Sequence, residues 1–172
     1  MFQVLLPDRV YRDIYCIMPE QLYADGIRGL ICDIDNTLVT YDDPEPTPSV
    51  LQWISDLRNF GIAVTFVSNN DRERVTRFNR NIGTYASGKS GKPLKSYHLR
   101  QAMAYMHTTP QTTAVIGDQI FTDIYAGKRI GLRCYLVKPI RDKLTPFFRF
   151  KRKMEIPVLR SYFRRHPEDK SN

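Results

Sequence analysis

Four short apolar runs punctuate the chain, at residues 30–34, 62–67, 113–116 and 132–137. Each is rich in β-branched residues and ends on a turn signal, the pattern of strands buried on both faces of a parallel sheet. Helical periodicity fills the intervals. Ser49 is placed to cap a helix through Val50, Leu51, Trp53, Ile54 and Leu57, closed by Gly61. Asp71 opens a strongly basic helix through Val75 and Phe78 to Ile82. Pro93 opens another, with Leu94, Tyr97, Leu99, Ala102 and Met106 on its apolar side. Strand alternating with helix predicts an α/β fold with a doubly wound, Rossmann-like parallel sheet. The first 27 residues are apolar and aromatic, with Val4, Leu5, Leu6, Val10, Tyr11, Ile14, Tyr15, Ile17 and Met18. They are expected to pack on the core; the alternative is an apolar face turned to a membrane.

Length and composition narrow the picture. The 172 residues suit one domain with a short appended arm, and 42% hydrophobic with 12% aromatic residues excludes wholesale disorder. No apolar run approaches the ~18 residues that span a bilayer. Asp8, Arg9, Arg12 and Asp13 interrupt any secretory h-region, so a cytoplasmic location is expected. Cys16, Cys32 and Cys134 are odd in number and widely spaced, which reads as reduced, mostly buried thiols rather than a disulfide frame or zinc site.

The net charge of +8 is unevenly placed. Residues 1–137 carry 15 basic and 14 acidic side chains, whereas residues 138–172 carry 11 and 4. A nearly neutral body, 1–137, therefore ends in a basic arm, 138–172, that interleaves Arg and Lys with Phe147, Phe148, Phe150, Tyr162 and Phe163. Such an arm suits an anionic surface, either lipid headgroups with peripheral membrane attachment or a nucleic-acid backbone. It equally suits a C-terminal helix whose aromatics cover the core while its charges face water.

The chemistry gathers at the strand ends. The first strand runs into Asp33-Ile34-Asp35-Asn36-Thr37, the second ends in Ser68-Asn69-Asn70, and the third in Gly117-Asp118-Gln119 with Asp123 beyond. Parallel strands bring these ends to one crevice, where ligands of this architecture bind. Carboxylates crowded there raise one another's pKa unless a cation compensates, and the oxygen-rich site suits Mg²⁺. Any single aspartate could be a helix cap or turn former; all of them at strand ends argue for a site.

The DxDxT at residues 33–37, Ser68 after an apolar strand, a lysine, and GDxxxTD at residues 117–123 resemble the four motifs of the haloacid dehalogenase (HAD) superfamily over roughly residues 28–137. More closely, GLICDIDNTLV, VSNN, GKPLK and AVIGDQIFTDIYAGKRIGL are similar to the YqeG family of HAD-type phosphatases, subclass IIIA. The resemblance implies a phosphoric monoester hydrolase. Asp33 would be the nucleophile forming an aspartyl-phosphate, and Asp35 the general acid and then base. Mg²⁺ would sit on the Asp33 carboxylate, the Asp35 backbone carbonyl and Asp118. Thr37, Ser68, Asn69 and Lys92 would hold the phosphoryl group, and Asp123 would order metal water or the lysine. Among Lys89, Lys92 and Lys95, the Lys92-Pro93 pair best matches the family pattern, with Lys89 in reserve.

Two further signals carry less. Residues 83–90 match the Walker A expression GxxxxGK[ST], but the strand a P-loop needs before it is missing. His98, His107 and His166 show no ligand spacing. Neither the interval from Asp35 to Ser68 nor that from Ser68 to Lys92 has room for a cap domain. An uncovered site suits a phosphate displayed on something large. The reading is thus a phosphatase for a large or membrane-presented phosphate. The family's relation to HAD-type phosphatidylglycerophosphatases makes that lipid the concrete candidate. The alternatives are nucleic-acid ends or soluble esters, or a non-catalytic binding module.

Overall fold

In the computed structural model, residues 3–141 and 145–171 are described. Six parallel strands form one sheet: β1 (Arg9–Tyr11), β2 (Gly29–Cys32), β3 (Ala63–Val67), β4 (Ala86–Ser87), β5 (Thr113–Gly117) and β6 (Arg133–Val137). Their order is β1-β6-β5-β2-β3-β4. The helices are α1 (Pro19–Ala24), α2 (Pro48–Asn59), α3 (Arg72–Asn79), α4 (Tyr97–Met106), α5 (Tyr125–Lys128) and α6 (Pro146–Arg165).

Alternation along the central strands splits the core in two. Leu30, Cys32, Ala114, Ile116, Tyr135 and Val137 face one layer, with Trp53, Ile54 and Leu57 of α2 and Val75 and Phe78 of α3. Ile31, Val115, Cys134 and Leu136 face the other, with Leu99, Ala102, Met103 and Met106 of α4 and Val158 and Tyr162 of α6. Helices on both faces make the sheet doubly wound, as the alternating pattern predicts. Cys32 and Cys134 are buried free thiols, and Cys16 is half-buried and free.

Several boundaries differ from the sequence expectation. Two strands were not expected: β1 carries one buried side chain, Val10, and β4 is only two residues long, so neither shows a periodic run. The N-terminal segment thus packs as sheet and core, burying Ile14, Ile17, Leu22 and Ile27, while Tyr15, Met18 and Tyr23 remain exposed. Thr47, not Ser49, caps α2: its Oγ1 accepts from the Val50 amide at 3.3 Å, and Pro48 takes the first helical position. Pro93 lies in a turn behind a cis peptide, and α4 begins only at Tyr97, leaving Leu94 and Tyr97 exposed.

The basic arm folds back. Its helix α6 buries Glu155, Val158 and Tyr162 against the α4 layer. Residues 1–2, 142–144 and 172 and the side chains of Phe147, Lys170 and Ser171 lie outside the described residues. No described helix is long and apolar enough to cross a membrane.

Candidate active site

The C-terminal ends of β2, β3 and β5 open onto a cleft of about 300 Å³. Asp33, Asp35, Ser68, Asn69, Lys92 and Asp123 line it, so most of the residues singled out by sequence converge there. The carboxylates are deeply placed: Asp33 is 8% exposed and Asp123 1%.

Lys92 organises the floor. Its Nζ donates to Asp33 Oδ1 at 2.9 Å, to Asp123 Oδ1 at 2.5 Å and to the Val67 carbonyl at 2.6 Å. All three ammonium protons are thereby used. Burial alone would lower the Lys92 pKa, but Asp123 and Asp33 outweigh it and hold the group charged. Lys89 and Lys95 are exposed, so Lys92 is the lysine brought to the carboxylates. Asn69 fixes the lysine's loop, accepting from the Lys92 amide and donating to its carbonyl, both at 2.9 Å.

Asp35 is held from the opposite side. Its Oδ2 accepts from Asn70 Nδ2 at 2.9 Å, and its Oδ1 accepts from Arg74 Nε at 3.2 Å. Arg74 comes from α3, whose first turn is capped by Asp71 accepting from the Arg74 amide at 2.7 Å. Ser68 is buried, and its Oγ accepts from the Asn70 amide at 3.1 Å. Gly117 is required by close approach: a Cβ there would stand 2.4 Å from Asp123 Cβ and Cγ.

Asp118 and Thr37 are buried without lining the cleft. Thr37 Oγ1 has no hydrogen-bond partner among the described residues. Asp118 is covered by α6, where Arg152 donates to its Oδ2 and to its backbone carbonyl, each at 2.5 Å. Arg152 is in turn held by Glu155 at 2.8 Å, and Glu155 accepts from the Ile120 amide at 2.8 Å. Farther along the same helix edge, half-buried Phe148 and Lys151 line the cleft, with Lys151 Nζ 2.8 Å from Gln119 Oε1. Sequence reasoning gave no role to Tyr41, Asn70, Arg74, Gln119, Thr122, Phe148, Lys151 or Arg152, although Asn70, Gln119 and Thr122 stand in the strand-end motifs it named. The arm's basic and aromatic composition was the available signal for Phe148, Lys151 and Arg152, but nothing local showed that it returns to the site.

The fit for a cation is testable on this donor set. Carboxylate oxygens of Asp33, Asp118 and Asp123 lie within 4.8 Å of one another, all buried. Hard oxygen donors suit Mg²⁺ rather than a soft metal. Among the described residues, Asp33 and Asp123 share one cation, Lys92, and Asp118 shares Arg152 with Glu155, so the buried carboxylates are not each matched by a cation of their own. The residues therefore fit a divalent ion.

The same crowding shifts the acids. Burial and the Asp123 charge push Asp118 from 3.8 up to about 6, with Arg152 opposing. Asp33 is also raised, first by burial, with Lys92 opposing. A carboxyl that binds its proton more tightly when folded stabilises the fold at low pH and loses that contribution as pH rises through its folded pKa. The metal-free protein is therefore expected to lose stability relative to Asp118→Asn between about pH 4 and pH 6, by at most about 1.4 kcal/mol per pH unit. Urea unfolding of both proteins across this window checks it; parallel stability curves would contradict it.

Other sequence signals resolve simply. The Walker-like residues 83–90 contain β4 rather than following a strand, and the next helix begins at Tyr97 rather than at Lys89. His98 Nδ1 sits 2.8 Å from Ser87 Oγ, outside the cleft lining.

Comparison with known proteins points to one family. A HAD-hydrolase-like family model matches residues 90–139. The chain is 37% identical over 154 residues to "Probable phosphatase YqeG" of Bacillus subtilis (strain 168), covering 90% of this chain and 89% of that protein. It is 25% identical over 174 residues to phosphatidylglycerophosphate phosphatase 1, chloroplastic/mitochondrial, of Arabidopsis thaliana, covering 95% of this chain but 49% of that protein. The fold is also like the cobalt-bound deoxy-D-mannose-octulosonate 8-phosphate phosphatase YrbI of Haemophilus influenzae. There the TM-score is 0.52 at 17% identity, over 80% of this chain and 90% of the other. With 37% identity over about nine-tenths of both chains to the Bacillus subtilis YqeG protein, a HAD-type sheet and carboxylates clustered at its strand ends, the chain belongs to the YqeG family of HAD-type phosphatases, hydrolases of phosphoric monoesters.

Proposed function

We propose that the chain is a Mg²⁺-dependent phosphomonoesterase acting through an aspartyl-phosphate on Asp33. Its substrate is a phosphate carried by a large or membrane-presented molecule, with phosphatidylglycerophosphate the concrete candidate. Residues 1–137 form the catalytic body, and the arm 138–172 completes the cleft through α6. The observation that carries the chemistry is the Lys92 ammonium joining Asp33 and Asp123 in one cleft with Asp35 and Ser68.

Asp33 attacks phosphorus in line, its carboxylate oxygen forming the new P–O bond as the bond to the leaving oxygen breaks. Asp35, oriented by Asn70 and Arg74, gives its proton to that leaving oxygen. The resulting Asp35 carboxylate then takes a proton from water, whose oxygen attacks phosphorus and frees Asp33 and inorganic phosphate. Ser68 and Asn69 hold phosphoryl oxygens, while Lys92 steadies the nucleophile and stabilises the transferring group. Thr37, the last residue of the DxDxT motif, is buried without lining the cleft, and Asp123 keeps the lysine in place. Mg²⁺, held by Asp33, Asp118 and the Asp35 carbonyl, would neutralise charge on the transferring phosphoryl group.

Two observations support a large substrate. Between Asp35 and Lys92 the described elements are only α2, β3, α3 and β4, which leaves no cap domain over the cleft. The similarity to the Arabidopsis thaliana phosphatidylglycerophosphate phosphatase supports a lipid phosphate in particular. A panel of phosphatidylglycerophosphate in liposomes, an aryl phosphate, sugar phosphates and phosphorylated oligonucleotide ends, each with Mg²⁺ or chelator, tests this. The lipid is expected to release phosphate fastest and only with metal. Faster release from oligonucleotide ends or sugar phosphates would overturn the lipid assignment. Metal binding without release from any member would favour a non-catalytic binding module.

A further inference from the structure

Helix α6 uses one face for the site and core, and its other face is exposed. Glu155, Val158 and Tyr162 are buried on the inner side. Arg149, Lys153, Arg160 and Arg164 are exposed on the outer side, at spacings of four, seven and four residues that align them in one stripe. None of the four makes an ion pair with a described residue. The helix's one acid, Glu155, is turned inward onto Arg152, so no counter-charge offsets the stripe from within the helix. Exposed apolar groups flank it: Phe150 at 60% and Met154 at 49% on one side, Ile156 at 42% on the other.

From this placement we infer that the outer face of α6 docks the protein onto an anionic lipid surface. Four exposed basic residues in a row, none ion-paired with a described residue, attract negative headgroups, and the flanking Phe150, Met154 and Ile156 gain by leaving water for the headgroup–acyl boundary. A nucleic-acid backbone would use the charges but offers nothing to Met154 and Ile156. The inner edge of the same helix supplies Phe148 and Lys151 to the cleft and Arg152 to Asp118. Docking therefore brings the cleft mouth to within about one helix diameter, roughly 10 Å, of the headgroups. The binding rests on α6 alone; its purpose, presenting a lipid phosphate to the cleft, rests on the phosphatase reading above.

Vesicle co-sedimentation of the full chain tests it, with phosphatidylcholine alone and phosphatidylcholine mixed with phosphatidylglycerol. Two variants are compared: Arg149→Gln/Lys153→Gln/Arg160→Gln/Arg164→Gln, and Phe150→Ser/Met154→Ser. Fluorescence anisotropy with an RNA oligonucleotide and hydrolysis of a soluble aryl phosphate run in parallel. The wild type is expected on anionic but not neutral vesicles. The quadruple variant should bind at least about 100-fold more weakly, at about fivefold per basic residue. The double variant should also weaken vesicle binding, and both should hydrolyse the aryl phosphate as the wild type does, which shows the fold intact. Equal binding to neutral vesicles, or unchanged binding by the quadruple variant, overturns the proposal. So does RNA binding that the quadruple variant loses while vesicles are ignored. If vesicle binding behaves as expected but no variant or wild type hydrolyses the aryl phosphate, docking stands and the phosphatase reading falls.

Discussion

Asp33→Asn is expected to reduce Mg²⁺-dependent phosphate release by about 10³-fold or more, because an amide in that position has no oxygen able to form the covalent phosphoryl ester. The substitution is nearly isosteric, and burial already favours the uncharged form of Asp33. The variant should therefore fold, and its stability relative to wild type should rise with pH as the wild-type carboxyl ionises. Acid-quench mass spectrometry during turnover supplies an independent readout: wild type should carry a covalent phosphoryl group and the variant none. A variant that keeps wild-type turnover would remove Asp33 from the role of nucleophile, whatever the substrate.

Lys92→Met should be the most damaging single change to stability at the site. The wild-type Lys92 side chain, 3% exposed, joins the carboxylates of Asp33 and Asp123, both buried. Removing it leaves two buried carboxylates facing each other and the Val67 carbonyl without its donor. Breaking a buried pair in this way costs about 3–5 kcal/mol. The deficit should shrink at low pH, where orphaned carboxyls take up protons, and in the presence of a divalent cation that restores positive charge. Phosphate release should fall by about 10²-fold or more if, as proposed, the ammonium charge also stabilises the transferring phosphoryl group. Lys89→Met, at an exposed position of the same loop, should change neither quantity. Urea unfolding at two pH values, with and without Mg²⁺, together with initial rates, separates these outcomes. Equal effects of the two substitutions would show that Lys92 is not the organising cation.

Much of the body is legible residue by residue. Leu30 to Cys32 and Thr113 to Gly117 are short, apolar and β-branched, and their burial on both faces is what a central parallel strand demands. What escapes notice are elements whose stability comes from partners. The edge strand β1 pairs with β6, aligning Val10 with Leu136, a match no local pattern encodes. The start of α4 is similar: Leu94 and Tyr97 fit a helical stripe, yet the chain first turns to deliver Lys92 to the carboxylates.

The site divides along the same line. The order of residues alone determined that Asp33, Asp35, Ser68 and Asp118 follow buried strands, and parallel strands necessarily carry their ends to one edge of the sheet. That was enough to read an anionic crevice suited to a divalent cation; the phosphatase chemistry came from the resemblance of these motifs to the HAD superfamily. Only the tertiary structure decided which cations answer those charges. Arg74 reaches Asp35 from α3, and Arg152 reaches Asp118 across 34 residues from α6. The composition of the arm left it equally suited to water, core or a charged surface. Packing of Val158 and Tyr162 against the sheet sets the helix's rotation. Rotation, a property of no single residue, turns Phe148, Lys151 and Arg152 toward the cleft and leaves Arg149, Lys153, Arg160 and Arg164 facing outward.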